Sequence, residues 1–106
     1  MEKGKIVSKV AIRLLDPSKM IEFYMTKDPV SLAKELRHNY MTAITLFLDQ
    51  EGEDAAEEAF DLTNNPSRQD EREQKYGRGR SVSVGDIVSV DGVDYLCASV
   101  GWTKLA

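Results

Sequence analysis

The sequence predicts an α+β fold, a mostly antiparallel sheet with two helices and a C-terminal β-hairpin. Three observations carry this. Residues 6–14 alternate apolar and polar side chains as a half-buried strand does. Two stretches, opened by Asp28-Pro29 and by a run of acids from Asp49, place apolar residues at helical spacing. Asp91-Gly92 sits between two β-branched runs and tolerates the positive φ angles of a two-residue hairpin turn. With 106 residues, 42% hydrophobic and 30% charged, the chain is sized for one domain, residues 1–106.

In chain order, the first strand puts Ile6, Val10, Ile12 and Leu14 on one face and Lys9 and Arg13 on the other. Residues 18–26 are ambiguous. Asp16-Pro17 is a helix-start signal, but Ile21, Phe23 and Met25 fit a two-residue period, and the stretch leans to strand. From 29 to about 38 a short helix is expected, with Leu32, Leu36 and Tyr40 on one stripe. Met41 to Leu48 is β-branched and apolar on both faces, the pattern of a central strand covered by helices on at least one side.

Six acids and no base lie between Asp49 and Glu58, and the helix dipole favours acids in a first turn. The helix they open carries Ala55, Ala56, Ala59, Phe60 and Thr63 inward and stops at Asn64-Asn65-Pro66. Residues 67–80 show no hydrophobic period, which predicts a solvated, mobile loop. In the hairpin, Val90 faces Val93, Ser89 faces Asp94, Val88 faces Tyr95 and Ile87 faces Leu96, so Val88, Val90, Val93 and Tyr95 share one face.

Composition and motif exclude much chemistry. One cysteine, Cys97, removes any intramolecular disulfide and any cysteine-cluster metal site. Cys97 reads as a small buried hydrophobe opposite Asp86, and His38 as a charged residue at a helix end; Cys-His catalysis would have to bring these two together. No dinucleotide fingerprint, nucleophile elbow or paired-carboxylate signature is present, so the sequence predicts a non-enzyme with no cofactor and no metal. The acidic run lacks the alternating ligands of a calcium loop. No apolar run approaches the roughly 20 residues that cross a bilayer, and the first five residues lack a secretory signal's apolar stretch, so the expected compartment is the cytoplasm.

Two surfaces invite partners. Glu53, Asp54, Glu57 and Glu58 form an acidic face, and Trp102 is an aromatic anchor beside Gly101; these are the candidate protein-binding residues. The alternative is a single-stranded nucleic-acid or RNA contact through Arg68, Arg72, Lys75, Tyr76, Arg78 and Arg80. Against it, residues 68–80 carry five bases and three acids, a local +2, on a chain of net charge −4.

From Tyr40 onward the chain resembles the YodL-like domain family. The matching features are the helix ending Phe60-Asp61-Leu62-Thr63-Asn64-Asn65-Pro66, the segment Gly79-Arg80-Ser81-Val82-Ser83-Val84-Gly85-Asp86-Ile87-Val88, Tyr95, and Gly101-Trp102. The family pattern runs a helix into an asparagine and a proline, then Gly-x-Ser-Leu/Val-Ser-Val-Ser/Gly-Asp-Val/Ile-Val, a tyrosine-bearing strand and Gly-Phe. This chain departs in having Trp102 for the phenylalanine and a longer stretch, Ser67 to Arg78, before the glycine.

The resemblance implies a small domain of bacteria, phages and conjugative elements, and carries over no catalytic residue. For the motif itself, Asn64, Pro66, Ser81, Ser83, Asp86 and Gly101 read as structural: the serines bond nearby backbone and Gly85-Asp86 turns the chain. Together these readings predict an accessory protein of a phage or mobile element, a monomer or dimer. It would bind and modulate a host or element-encoded protein, in the host cytoplasm if phage-encoded. Self-pairing through residues 18–26 or 67–78 would supply the dimer.

Overall fold

A strand that alternates Val10, Ile12 and Leu14 with Lys9, Ala11 and Arg13 must bury one face, and the sheet is built around it. The structure is a computed structural model and describes residues 7–105. Ile6, expected on the buried face of the first strand, lies outside the described residues. Strand β1 is Ser8–Leu15, β2 Tyr40–Leu48, β3 Ile87–Val90, β4 Val93–Cys97 and β5 Trp102–Lys104. They form one antiparallel sheet of order β2-β1-β3-β4-β5. Helices α1 (Met20–Met25) and α2 (Pro29–Glu35) connect β1 to β2, and α3 (Gly52–Asn64) and α4 (Gln69–Lys75) connect β2 to β3. The fold is α+β, with four α-helices where the sequence predicts two.

Each face of the sheet has its own apolar layer. On one, Val10, Ile12, Leu46, Leu48, Val88 and Val90 pack against Ala55, Ala56, Ala59 and Leu62 of α3. The alanines let helix and sheet approach closely. On the other, Leu15, Ile87 and Leu96 meet Phe23 of α1, Ala33 of α2 and Leu36 at the end of α2. The β3–β4 hairpin has the register expected from its sequence, with Val90 opposite Val93 and Ile87 opposite Leu96. Its turn places Asp91 at φ 49 and Gly92 at φ 85. The Asp91 carboxylate also accepts from the Lys9 amide at 2.9 Å, tying the hairpin tip to β1.

Three expectations are corrected. Residues 18–26 are helical: the Asp16 carboxylate accepts from the Ser18 amide at 3.0 Å and hydroxyl at 2.9 Å, starting a 3₁₀ turn (Pro17–Lys19) that runs into α1. Proline and cap outweigh the short two-residue alternation, leaving only Phe23 of α1 buried. Residues 67–80 are not a loop throughout, because a 3₁₀ turn (Pro66–Arg68) leads into α4. Finally, β2 is an edge strand rather than a central one. Its double-sided apolar pattern reflects exposure of Met41 and Phe47, which are 76% and 68% accessible.

Candidate functional site

The segment Gly79 to Asp86 is an internal clamp. Asp86 is fully buried, and each of its carboxylate oxygens accepts two hydrogen bonds. Oδ1 takes the Leu15 amide at 2.8 Å and Arg80 Nη2 at 3.0 Å. Oδ2 takes Arg80 Nη1 and the Ser83 amide, both at 2.7 Å. Arg80 Nη2 also donates to the Leu15 carbonyl at 2.8 Å, so the Arg80–Asp86 pair satisfies both backbone groups where β1 ends. The Asp86 carboxylate in turn raises the pKa of the Arg80 guanidinium, keeping it charged.

The end of α3 holds the same segment from the other side. Ser81 donates to the Thr63 carbonyl at 2.6 Å, the Val82 amide to the Thr63 hydroxyl at 3.1 Å, and Asn64 Nδ2 to the Val82 carbonyl at 2.9 Å. Gly85 has φ +96, and a Cβ there would lie 2.9 Å from the Phe23 ring. The most distinctive stretch of the sequence is therefore spent on bonds inside the molecule.

The basic side chains of residues 68–80 are largely spent the same way. Arg68 holds three carboxylates, Glu58 at 2.6 Å and Asp61 and Glu71 at 2.8 Å. Hydrogen bonds from Arg68 and then Lys75 pull the Glu71 carboxyl down to about 2. Arg72 donates to the carbonyls of Thr63, Gly77 and Gly79, and its guanidinium lies 5.2 Å from the centre of the Tyr76 ring. Tyr76 is buried, its hydroxyl donating to the Arg80 carbonyl at 2.6 Å. Lys75 pairs with Glu71 at 3.2 Å. Arg78 is exposed and makes no ion pair among the described residues. Five of the six residues thus make contacts within the molecule, and Arg72, Tyr76 and Arg80 are brought side by side.

The acidic face is also divided. Glu58 belongs to the Arg68 cluster, while Glu53 and Asp54 stay exposed on the first turn of α3. Glu57 accepts from the Trp102 indole at 2.9 Å, and the Trp102 ring meets Phe60 edge-on at 6.2 Å between centroids. Glu57, Phe60 and Trp102 line a shallow cleft of about 220 Å³ with Cys97, Ser99 and Gly101. On the opposite side of the same β4–β5 turn, a second cleft of about 240 Å³ is lined by Phe23, Tyr24, Val84, Ala98 and Ser99. Tyr24, which lines the second cleft, is 65% exposed, and Val100, in the turn, is 90% exposed; Met25, the last residue of α1, is 78% exposed.

Of the residues at this end of the sheet, the sequence singles out Trp102 and Glu57 but not Tyr24 or Val100. The signal for α1 was available: Ile21, Tyr24 and Met25 fall at i, i+3 and i+4, one outward helical stripe. Cys97 and His38 line different clefts. Burial above all, helped by the Asp86 and Glu57 charges, pushes the Cys97 thiol up to about 12, so it stays protonated and weakly nucleophilic at neutral pH. Among the described residues, no helix is long and apolar enough to cross a membrane. Comparison with protein families, with curated proteins and with solved structures finds no match to this chain.

Proposed function

We propose that this is a non-enzymatic accessory protein of a phage or mobile element that binds a host or element-encoded protein and modulates its activity. The observation carrying the protein-binding part is the end of the sheet around the β4–β5 turn. There Glu57, Phe60 and Trp102 line one cleft and Phe23, Tyr24 and Val84 the other, exposed Val100 lies in the turn itself, and Glu53 and Asp54 are exposed on the same helix as Glu57. Trp and Tyr are the residue types that dominate binding hot spots. An apolar rim with acids beside it fits a partner offering an apolar knob among basic residues. The phage or mobile-element origin rests on the YodL-like resemblance alone. Engagement of Arg68, Arg72 and Arg80 inside the molecule weighs against the nucleic-acid alternative, which would leave Arg78 as its main free contact.

The experiment is affinity capture from host lysate with and without nuclease, using wild type, Trp102→Ala and the surface variants Tyr24→Ser and Val100→Asp. The reading expects one protein retained at near-equal stoichiometry after nuclease, with at least tenfold weaker capture by Val100→Asp, about 1.4 kcal/mol or more. Tyr24→Ser and Val100→Asp alter exposed side chains, so a folding defect does not confound them. Capture that vanishes with nuclease, or that all three variants leave unchanged, overturns it.

A further inference from the structure

The sheet has two edges, and they are not alike. β5 is three residues long, a short edge of the kind that resists pairing, whereas β2 runs for nine residues, Tyr-Met-Thr-Ala-Ile-Thr-Leu-Phe-Leu, without one charge or proline. Among the described residues no strand covers its outer side. Long apolar edges in monomeric proteins are normally blunted by an inward lysine or a proline, and β2 has neither. Its one irregularity is the bulge opposite Ile12/Arg13, where Ile44 pairs with Ile12 and Thr42 with Arg13, so that Ala43 is the extra residue.

We propose that β2 pairs antiparallel with β2 of a second copy of this chain across a two-fold axis at Ile44, joining two five-stranded sheets into one of ten. The strand is self-complementary in that register. With Ala43 skipped as the bulge residue in both copies, every pair falls on a common face: Ile44 meets Ile44, Thr42 meets Thr45, Met41 meets Leu46 and Tyr40 meets Phe47. Opposite residues in antiparallel strands lie about 4.5–5.5 Å apart, and Thr–Thr and aromatic pairs are among the favourable ones. The flanks select the occupant and its direction. β2 is preceded by Arg37 and His38 and followed by Asp49, Glu51 and Glu53. An antiparallel copy sets the basic flank of each chain beside the acidic flank of the other, His38 across from Asp49 at both ends. A parallel copy would set like beside like. The association would cover Met41 and Phe47, two of the most exposed large apolar side chains. Because β2 and β5 are opposite edges, this surface is separate from the face around Trp102.

Sedimentation equilibrium across a concentration series, with wild type, Met41→Lys and Phe47→Lys, tests the pairing. The wild type is expected to move from monomer to dimer mass as concentration rises. Both lysine variants should remain monomeric, with circular dichroism unchanged and with the thermal midpoint that the wild type shows at concentrations where it is itself monomeric, because they alter exposed side chains. The register is tested by oxidative cross-linking of Thr42→Cys protein mixed with Thr45→Cys protein. A disulfide dimer should form in the mixture and in neither sample alone, while buried Cys97 takes no part. A wild type that stays monomeric at its highest soluble concentration, or a Phe47→Lys protein that dimerises as well as wild type, overturns the proposal. Cross-linking of either cysteine variant with itself overturns the register.

Discussion

Two arginines, Arg68 and Arg80, each bind carboxylates bidentately, yet they do different things for the molecule. Arg80 faces one carboxylate that is completely buried, and the pair closes the hydrogen bonds of Leu15, sixty-five residues away in sequence. Arg68 faces three carboxylates, from Glu58, Asp61 and Glu71, that are 22%, 46% and 36% exposed, all within ten residues of it. Water can replace Arg68 at its carboxylates; it cannot reach Asp86. Partner number is therefore a poor guide to importance, and the desolvation of the carboxylate is the better one.

The comparison can be broken most severely at Asp86. Asp86→Ala leaves the Arg80 charge, the Leu15 amide and the Ser83 amide without their acceptor. Loss of such a buried partner is expected to destabilise by about 3–5 kcal/mol. A urea-unfolding midpoint close to that of wild type would show that water satisfies these groups after all. Gly85→Ala tests the same clamp through sterics. The positive φ and the approach to Phe23 should together cost about 1–3 kcal/mol, read in the same titration.

Arg68→Ala should be milder, about 1 kcal/mol or less, and smaller still in high salt, because its partners are solvated and screened. A salt-insensitive loss as large as that of Asp86→Ala would erase the contrast between the clusters. The smallest expected effect is on pH dependence. The Glu71 carboxyl is held at about 2 in the folded state against 4.5 ordinarily, so its contribution is present above about 4.5 and is lost as pH falls toward 2. Thermal melts over that window should show the slope in wild type and a reduced one in Arg68→Ala.

The same contrast explains what could be read ahead of the structure. The Arg80–Asp86 pair is six residues apart, folded together by the turn at Ser83–Asp86, a spacing that neither helical nor strand periodicity marks, and its bonds to Leu15 depend on β1 arriving from far away in sequence. The α4 stretch hides for a different reason. It is polar all round, so it shows no apolar stripe, and it is held instead by Arg68–Glu71, Lys75–Glu71 and Gln69–Glu73 contacts and by the Asn65 side chain capping the turn before it. Residues 18–26 misled because three apolar residues at alternate positions are too few to outvote an aspartate cap followed by proline.

Local chemistry determined much of this protein by itself. The Asp91-Gly92 turn and the two runs beside it are enough to set the hairpin register, because a two-residue turn leaves one alignment that keeps the apolar face together. Acids opening α3 and Asn64-Asn65-Pro66 ending it likewise act within a helical turn. Only the tertiary structure decided which arginines are spent internally, that β2 lies at an edge, and that Trp102 shares one end of the sheet with Tyr24 and Val100. Those outcomes depend on strand order and on burial, which join residues distant in sequence, and no local pattern of side chains encodes them.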